Sequence, residues 1–141
     1  MKKSDIGRLV AAARAAQARA YAPYSRFPVG AALLAGDGTV HTGCNVENAS
    51  YGLSCCAERN AVAAAVLAGK RRFTAIAVAG NSQEPLAPCG ACRQVLREFS
   101  PGIRVIMADR AGRTRTATLG RLLANSFGPR SLAKVNNRSQ R

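Results

Sequence analysis

The sequence predicts an α/β domain of three layers, α/β/α, built on a mixed five-stranded sheet. Three observations carry that expectation. Helix-periodic segments alternate with short apolar runs after an initial hairpin. Two of those runs, 73–79 and 103–107, are apolar without alternation, as in strands covered on both faces. At 141 residues with 48% hydrophobic composition, the chain can bury one core of useful size.

The first helix is expected to start at Ser4 as N-cap, with an inward stripe of Ile6, Leu9, Val10, Ala13 and Ala16. Arg8, Arg14 and Arg19 fall largely off that stripe and are read as facing water. Pro23 and Pro28 bracket a turn. A buried strand follows over 29–34, and Asp37-Gly38 marks a hairpin whose return strand is expected to reach Val46. Residues 56–68 lack Pro and internal Gly and are apolar nearly all round, so they predict a central helix that stops at Gly69. After the apolar strand 73–79, Pro88 and Gly90 punctuate a loop. A helix over 91–99 turns Val95, Leu96 and Phe99 inward, and Pro101-Gly102 ends it. Strand 103–107, a short strand over 113–117 and a helix capped by Thr118 complete one domain, 1–129. A basic tail, 130–141, is expected to be flexible. There is no internal repeat and no linker.

Seventeen Arg and four Lys against seven acidic residues give a formal charge of +14. That balance permits an anionic partner. The cations are scattered, however, and no aromatic residues interleave with them as a base-stacking surface requires. The Arg, Ala and Gly bias also fits GC-rich codons. A basic surface, rather than a nucleic-acid site, is the reading. No apolar run reaches the ~18–20 residues of a membrane span. The N-terminal segment lacks a secretory pattern, and five cysteines cannot close into pairs, so a reduced cytoplasmic protein is expected.

The chemistry concentrates in three cysteines. Cys89 and Cys92 lie at i and i+3 across one predicted helix start, and Cys56 lies at another. Helix N-termini favour thiolate over thiol. Two such starts side by side can offer three sulfurs to one Zn²⁺ and leave its fourth position open, as in catalytic sites. Glu58, two residues past Cys56 in an apolar helix, would lie beside the metal as a proton carrier. A structural zinc knot would instead need Cys44 or Cys55 as fourth ligand and would have no use for Glu58. A redox Cys-x-x-Cys would not need Cys56. His41, the single histidine, reads as a surface residue.

Cys56-Ala57-Glu58 followed by Pro88-Cys89-Gly90-Ala91-Cys92 resembles the signature of the zinc-dependent nucleoside deaminases. Tyr21-Ala22-Pro23-Tyr24-Ser25-Arg26-Phe27, Thr42-Gly43-Cys44-Asn45-Val46-Glu47-Asn48 and Cys92-Arg93-Gln94-Val95 narrow the resemblance to the small homotetrameric cytidine deaminases. The resemblance implies hydrolytic deamination of cytidine and 2′-deoxycytidine, with release of ammonia, in pyrimidine salvage. It implies one Zn²⁺ per subunit on Cys56, Cys89 and Cys92, hydroxide attack on C4, and Glu58 as proton shuttle. It further implies that Asn45 and Glu47 bind the ribose, and the spacing of two puts both on one face of a strand. Phe27 and the backbone of Ala57 would hold the base. Ala49, Tyr51 and Phe127 would reach a neighbouring subunit's site, and Arg59 would donate to the metal-bound sulfurs. Ala124 stands where the family often has Pro. Deaminases of other cytosine nucleosides, such as blasticidin S, share the zinc words and a Pro101-Gly102-Ile103-like stretch, but Asn45-Val46-Glu47-Asn48 favours cytidine. A basic deaminase acting on nucleic acid is the other alternative, and it predicts salt-sensitive binding to single strands.

Overall fold

The computed structural model describes residues 1–133. Helix α1 (Lys3–Gln17) is followed by β1 (Val29–Ala35), β2 (Val40–Cys44), α2 (Ala57–Leu67), β3 (Phe73–Gly80), α3 (Gly90–Phe99), β4 (Arg104–Ala108), β5 (Thr114–Thr118) and the single turn α4 (Leu119–Leu122). The five strands lie in the order β2-β1-β3-β4-β5. Only β3 and β4 are parallel, and α3 makes their crossover. The other three neighbouring pairs are antiparallel. The predicted mixed sheet and element order are therefore those of the molecule.

Alternation along β1 sorts the layers. Ala31, Leu33 and Ala35 face a core built with Ala57, Ala61, Val62, Ala65 and Leu96 from α2 and α3. Ala32 faces the opposite core, where Leu9 and Ala13 of α1 rest on Ala75, Ala77, Ala79 and Ile106. The α1 side of the sheet is paved with alanine, so the helix sits close. At Gly30 an added Cβ would lie 2.4 Å from the Gln17 nitrogen, which leaves no room for a side chain.

Several local expectations are corrected. Helix α1 starts one residue before Ser4. Lys2 is its N-cap, and the Lys2 N–H donates to Asp5 Oδ2 at 3.2 Å, so the acidic side chain of the first turn folds back onto the N-cap residue in place of a serine cap. Arg14 does not face water. Its guanidinium donates to Gln17 Oε1 and to the Gly80 carbonyl at 3.0 Å each, and also to the Asp109 carbonyl, tying α1 to the ends of β3 and β4. The return strand stops at Cys44, two residues short of Val46, because Val46 pairs instead with Tyr21 and Cys55 through isolated bridges. Thr118 occupies the N-cap of α4 without a side-chain capping bond. The basic tail begins inside a 3-10 turn, Pro129–Leu132, and residues 134–141 of it lie outside the described residues.

Candidate active site

Helices α2 and α3 lie on the same face of the sheet, and their N-termini meet. Cys56 is the N-cap of α2 and Cys89 the N-cap of α3, with Cys92 in the first turn beyond. Two features of β2 bring α2 to this position. An added Cβ on Gly43 would lie 2.4 Å from both the Ala57 carbonyl oxygen and the Ala61 nitrogen, so only glycine allows this approach. Asn60 Nδ2 then donates to the Cys44 carbonyl at 2.8 Å. On α3, Arg93 Nε donates to the Pro88 carbonyl at 2.8 Å and its Nη1 to the Leu122 carbonyl at 2.6 Å.

The three sulfurs lie within 4.8 Å of one another, and among the described residues this is the one group of three or more candidate metal ligands. Cys56 Sγ and Cys89 Sγ are 3.9 Å apart. Tetrahedral coordination with Zn–S bonds of about 2.3 Å requires sulfurs about 3.8 Å apart, so the spacing fits one zinc ion. The electrostatics fit as well. A hydrogen bond from Cys92, opposed by burial and reinforced by the Arg59 guanidinium, lowers the Cys56 thiol to about 5. That same contact with Cys56, together with burial, drives the Cys92 thiol far upward. Sulfurs this close cannot all ionise without a cation among them. Arg59 Nη2 lies 3.5 Å from Cys56 Sγ and 3.3 Å from the Ser54 carbonyl.

Glu58, in the first turn of α2, is 5% exposed. Burial raises its pKa, and the negative charge at Cys56 adds to the rise. A cavity of ≈ 160 Å³ opens against Cys56 and Glu58, lined also by Phe27, Val29, Asn45, Ala57, Leu86 and Cys89. Asn45 builds one wall: its Oδ1 accepts from the Val29 N–H at 2.8 Å and its Nδ2 donates to the Phe27 carbonyl at 2.9 Å. A larger open cleft of ≈ 670 Å³, between Asp37 and Phe99 near the C-terminal ends of α2 and α3, contains none of the predicted site residues. Chemistry, not size, distinguishes the smaller cavity.

Residues 3–108 match the model of the "Cytidine and deoxycytidylate deaminase zinc-binding region". The chain belongs to this deaminase family. It is 45% identical over 130 residues to a cytidine deaminase of Sporosarcina psychrophila, covering 92% of this chain and 96% of that one. A cytidine deaminase of Mycobacterium tuberculosis is 48% identical over 128 residues, covering 91% and 93%. Among solved structures, the cytidine deaminase from Burkholderia pseudomallei superposes with a TM-score of 0.85 at 51% identity, covering 90% of this chain and all of that one, 100%. Zinc is the metal of the matched region, and Cys56, Cys89 and Cys92 are the residues here that can hold it.

Cys56, Ala57, Glu58, Cys89, Cys92, Phe27, Asn45 and Arg59 therefore converge in this deaminase fold. Glu47 does not share the strand face with Asn45, since β2 ends before either residue. It lines an adjacent cavity of ≈ 340 Å³ with Tyr24, Ser25, Tyr51 and Ser54. There Glu47 Oε1 accepts from the N–H groups of Tyr24 at 3.0 Å and Ser25 at 3.1 Å. Bonds from Ser25 and Tyr24 hold its carboxyl below the usual range, so it is an anionic acceptor at neutral pH. The left-handed backbone of Arg26, φ 54°, turns the chain between these amides and Phe27. Tyr51 is 74% exposed and Phe127 59% exposed, and Ala49 is also exposed, so none of the three is buried in the core of its own chain. Val29, Leu86 and Ala87 line the cavity without having been singled out in the sequence. Leu86 lies in a loop with no periodic signal. Gly43 had one: a glycine in a strand pattern marks a close backbone approach.

Proposed function

We propose that this chain catalyses hydrolytic deamination of cytidine and 2′-deoxycytidine to the corresponding uridines, with release of ammonia. The observation that carries the reading is the buried Glu58 facing a cavity whose wall holds Cys56 and Cys89, with Cys92 behind. Zinc, when bound by the three sulfurs, supplies Lewis acidity, which lowers the pKa of water from about 15.7 to near 7 and so provides a nucleophile for C4 at neutral pH.

The chain's own residues do the rest. Glu58 takes a proton from the attacking water and delivers it to ring N3. It then takes the proton of the new C4 hydroxyl and passes it to the amino group, so that the C4 carbonyl forms as the C4–N bond breaks and ammonia leaves. Burial keeps its carboxyl high enough to carry that proton. Phe27 and the Ala57 backbone hold the ring against the cavity wall. Asn45 and the ionised Glu47 receive the ribose hydroxyls. Arg59 withdraws charge from the Cys56 sulfur, which keeps the metal acidic.

A homotetramer completes the reading. Tyr21, Tyr24, Val46, Tyr51 and Leu53 are 56%, 45%, 46%, 74% and 70% exposed. Val46 bridges to Tyr21, and the Tyr24 and Tyr51 rings meet at a tilt of 60° with centroids 5.7 Å apart, where they line the Glu47 cavity, so exposed apolar groups gather on this side of the chain. Ala49, Tyr51 and Phe127 of other copies close a site too small to enclose a nucleoside by itself. Metal-binding free thiols suit the reducing cytoplasm, and pyrimidine salvage is the process served.

Incubation with cytidine, monitored by ultraviolet absorbance for uridine, tests the reading, with blasticidin S and a single-stranded oligonucleotide as competing substrates. Glu58→Gln should retain one zinc per chain and lose turnover by about 10³-fold or more, beyond the usual 10²–10⁴ range's lower half. Activity within a few-fold of the parent protein would end the assignment.

A further inference from the structure

Phe127 is more than half exposed, yet the backbone around it is fastened to α3. Gln94 Nε2 donates to the Phe127 carbonyl at 3.0 Å. Arg97 Nε donates to Ser126 Oγ at 2.8 Å. The Arg97 guanidinium also lies against Gly128, where an added Cβ would be 2.9 Å from its Cζ. One residue earlier the chain reverses through Asn125, φ 51°, a left-handed conformation that asparagine tolerates better than most side chains. Upstream, Arg93 holds the Leu122 carbonyl. Three neighbouring side chains of one helix thus grip both ends of a short segment. They leave its aromatic ring pointing away from its own core.

We propose that Arg97, assisted by Gln94, is a positioning residue for the reaction. It fixes residues 126–128 on α3 so that Phe127 is presented at a set place to the substrate cavity of a second copy of the chain. Three features together point this way. A ring packed within its own chain would be buried, and this one is not. A free-standing loop would lack the bonds to Gln94 and Arg97. The rod that carries the segment also carries Cys89 and Cys92 at its start, so the ring of each copy is set rigidly relative to that copy's metal ligands. A shift of this ring by even 1 Å would be felt in substrate binding. The inference rests on the proposed cytidine deamination and assembly.

A double-mutant cycle tests it. Arg97→Ala should raise KM for cytidine about 5–10-fold, the value of one aromatic contact, with kcat within a factor of about two. Phe127→Ala should do the same. In the Phe127→Ala background, Arg97→Ala should add nothing, because its effect passes through the missing ring. Arg97→Lys should restore part of the affinity, since an ammonium still reaches Ser126. Zinc content should remain one per chain throughout. Hydrogen exchange of the 126–128 amides should accelerate in Arg97→Ala while the first turn of α3 stays protected. Should Arg97→Ala fail to fold, Gly128→Ala, which crowds the guanidinium from the other side, replaces it in the cycle with a smaller rise in KM.

An unchanged KM in the folded variant overturns the proposal. So does an effect additive with that of Phe127→Ala, or a loss of thermal stability without any change in KM. If the parent protein shows no cytidine turnover, the functional reading fails. The exchange measurement then still decides whether Arg97 fixes the segment.

Discussion

Helices α2 and α3 do the same task in opposite ways. Each begins at a cysteine N-cap and brings that sulfur to one point. Helix α2 is set mainly by shape: it is apolar over most of its surface and approaches β2 through the gap at Gly43 with little margin for adjustment, and the one bond from Asn60 to the Cys44 carbonyl is made across that close contact. Helix α3 is set by bonds: Arg93, Gln94 and Arg97 fasten its polar side to residues 29–33 positions later in the chain. A site shared by two helices needs both to be fixed. The contrast teaches that close packing fixes one permanently, whereas a set of directional bonds ties the other to the segment that carries Phe127.

The largest expected effect would remove the comparison altogether. Cys56→Ala, from α2, and Cys92→Ala, from α3, should each weaken zinc binding by more than about 100-fold, since losing a group behind a ligand already costs 10–100-fold. Metal analysis after dialysis checks this, and a normal zinc content in either variant would show that the helices do not share one ion. Next comes a change of shape. Gly43→Ala puts a methyl against the α2 backbone and should cost about 1–3 kcal/mol of stability, with loss of zinc affinity as α2 is pushed away. Denaturant midpoints and zinc titration measure the two effects separately.

A change of bonding should do less to the metal. Arg93→Ala removes two hydrogen bonds to carbonyls and should cost about 1–3 kcal/mol of stability while leaving zinc affinity within a few-fold, because α3 keeps its apolar seat. Equal zinc losses in Gly43→Ala and Arg93→Ala would erase the distinction between shape and bonding. The smallest effect lies outside both helices. Asp109 is fully buried at the end of β4. Burial would raise its pKa, but Arg113 and the N–H groups of Arg113 and Ala111 hold it below the usual value. A carboxyl lowered in the folded state contributes stability that is present above its unfolded pKa of about 3.9 and is lost as pH falls through the folded value. Asp109→Asn should therefore flatten the loss of stability below about pH 4, seen in denaturant midpoints against pH, and leave zinc binding unchanged.

The elements legible in the sequence are those whose cause is local. The apolar run of β3, the Asp37-Gly38 hairpin and the Cys89-Gly90-Ala91-Cys92 helix start each carry their own signal within a few residues. The convergence of Cys56 with the other two sulfurs was reached through the side-by-side helix starts and the family resemblance together. Arg14 reads from the sequence as facing water because two of its three partners, the Gly80 and Asp109 carbonyls, are 66 and 95 positions away. Hydrophobic periodicity ranks an arginine by its face and says nothing about carbonyls waiting there. Glu47 was placed with Asn45 because alternation assumes that a strand continues. The bridges of Val46 to Tyr21 and Cys55 end that continuity, and neither partner is adjacent in sequence. The grip of α3 on residues 122–128 was invisible for the same reason.

Strand β5 forms one rim of the sheet, with nothing paired beyond it among the described residues. Thr114, Arg115, Thr116 and Thr118 on it are all exposed. An open row of backbone amides is a template on which another chain can add. Here Thr114, Thr116 and Thr118 set hydroxyls along one face of the rim, and Arg115 on the other face places a like charge wherever two such rims would meet. Part of the chain's cationic excess thus acts as a brake on fibre growth, and a variant with a neutral, branched apolar residue at that position would be the one to watch for turbidity.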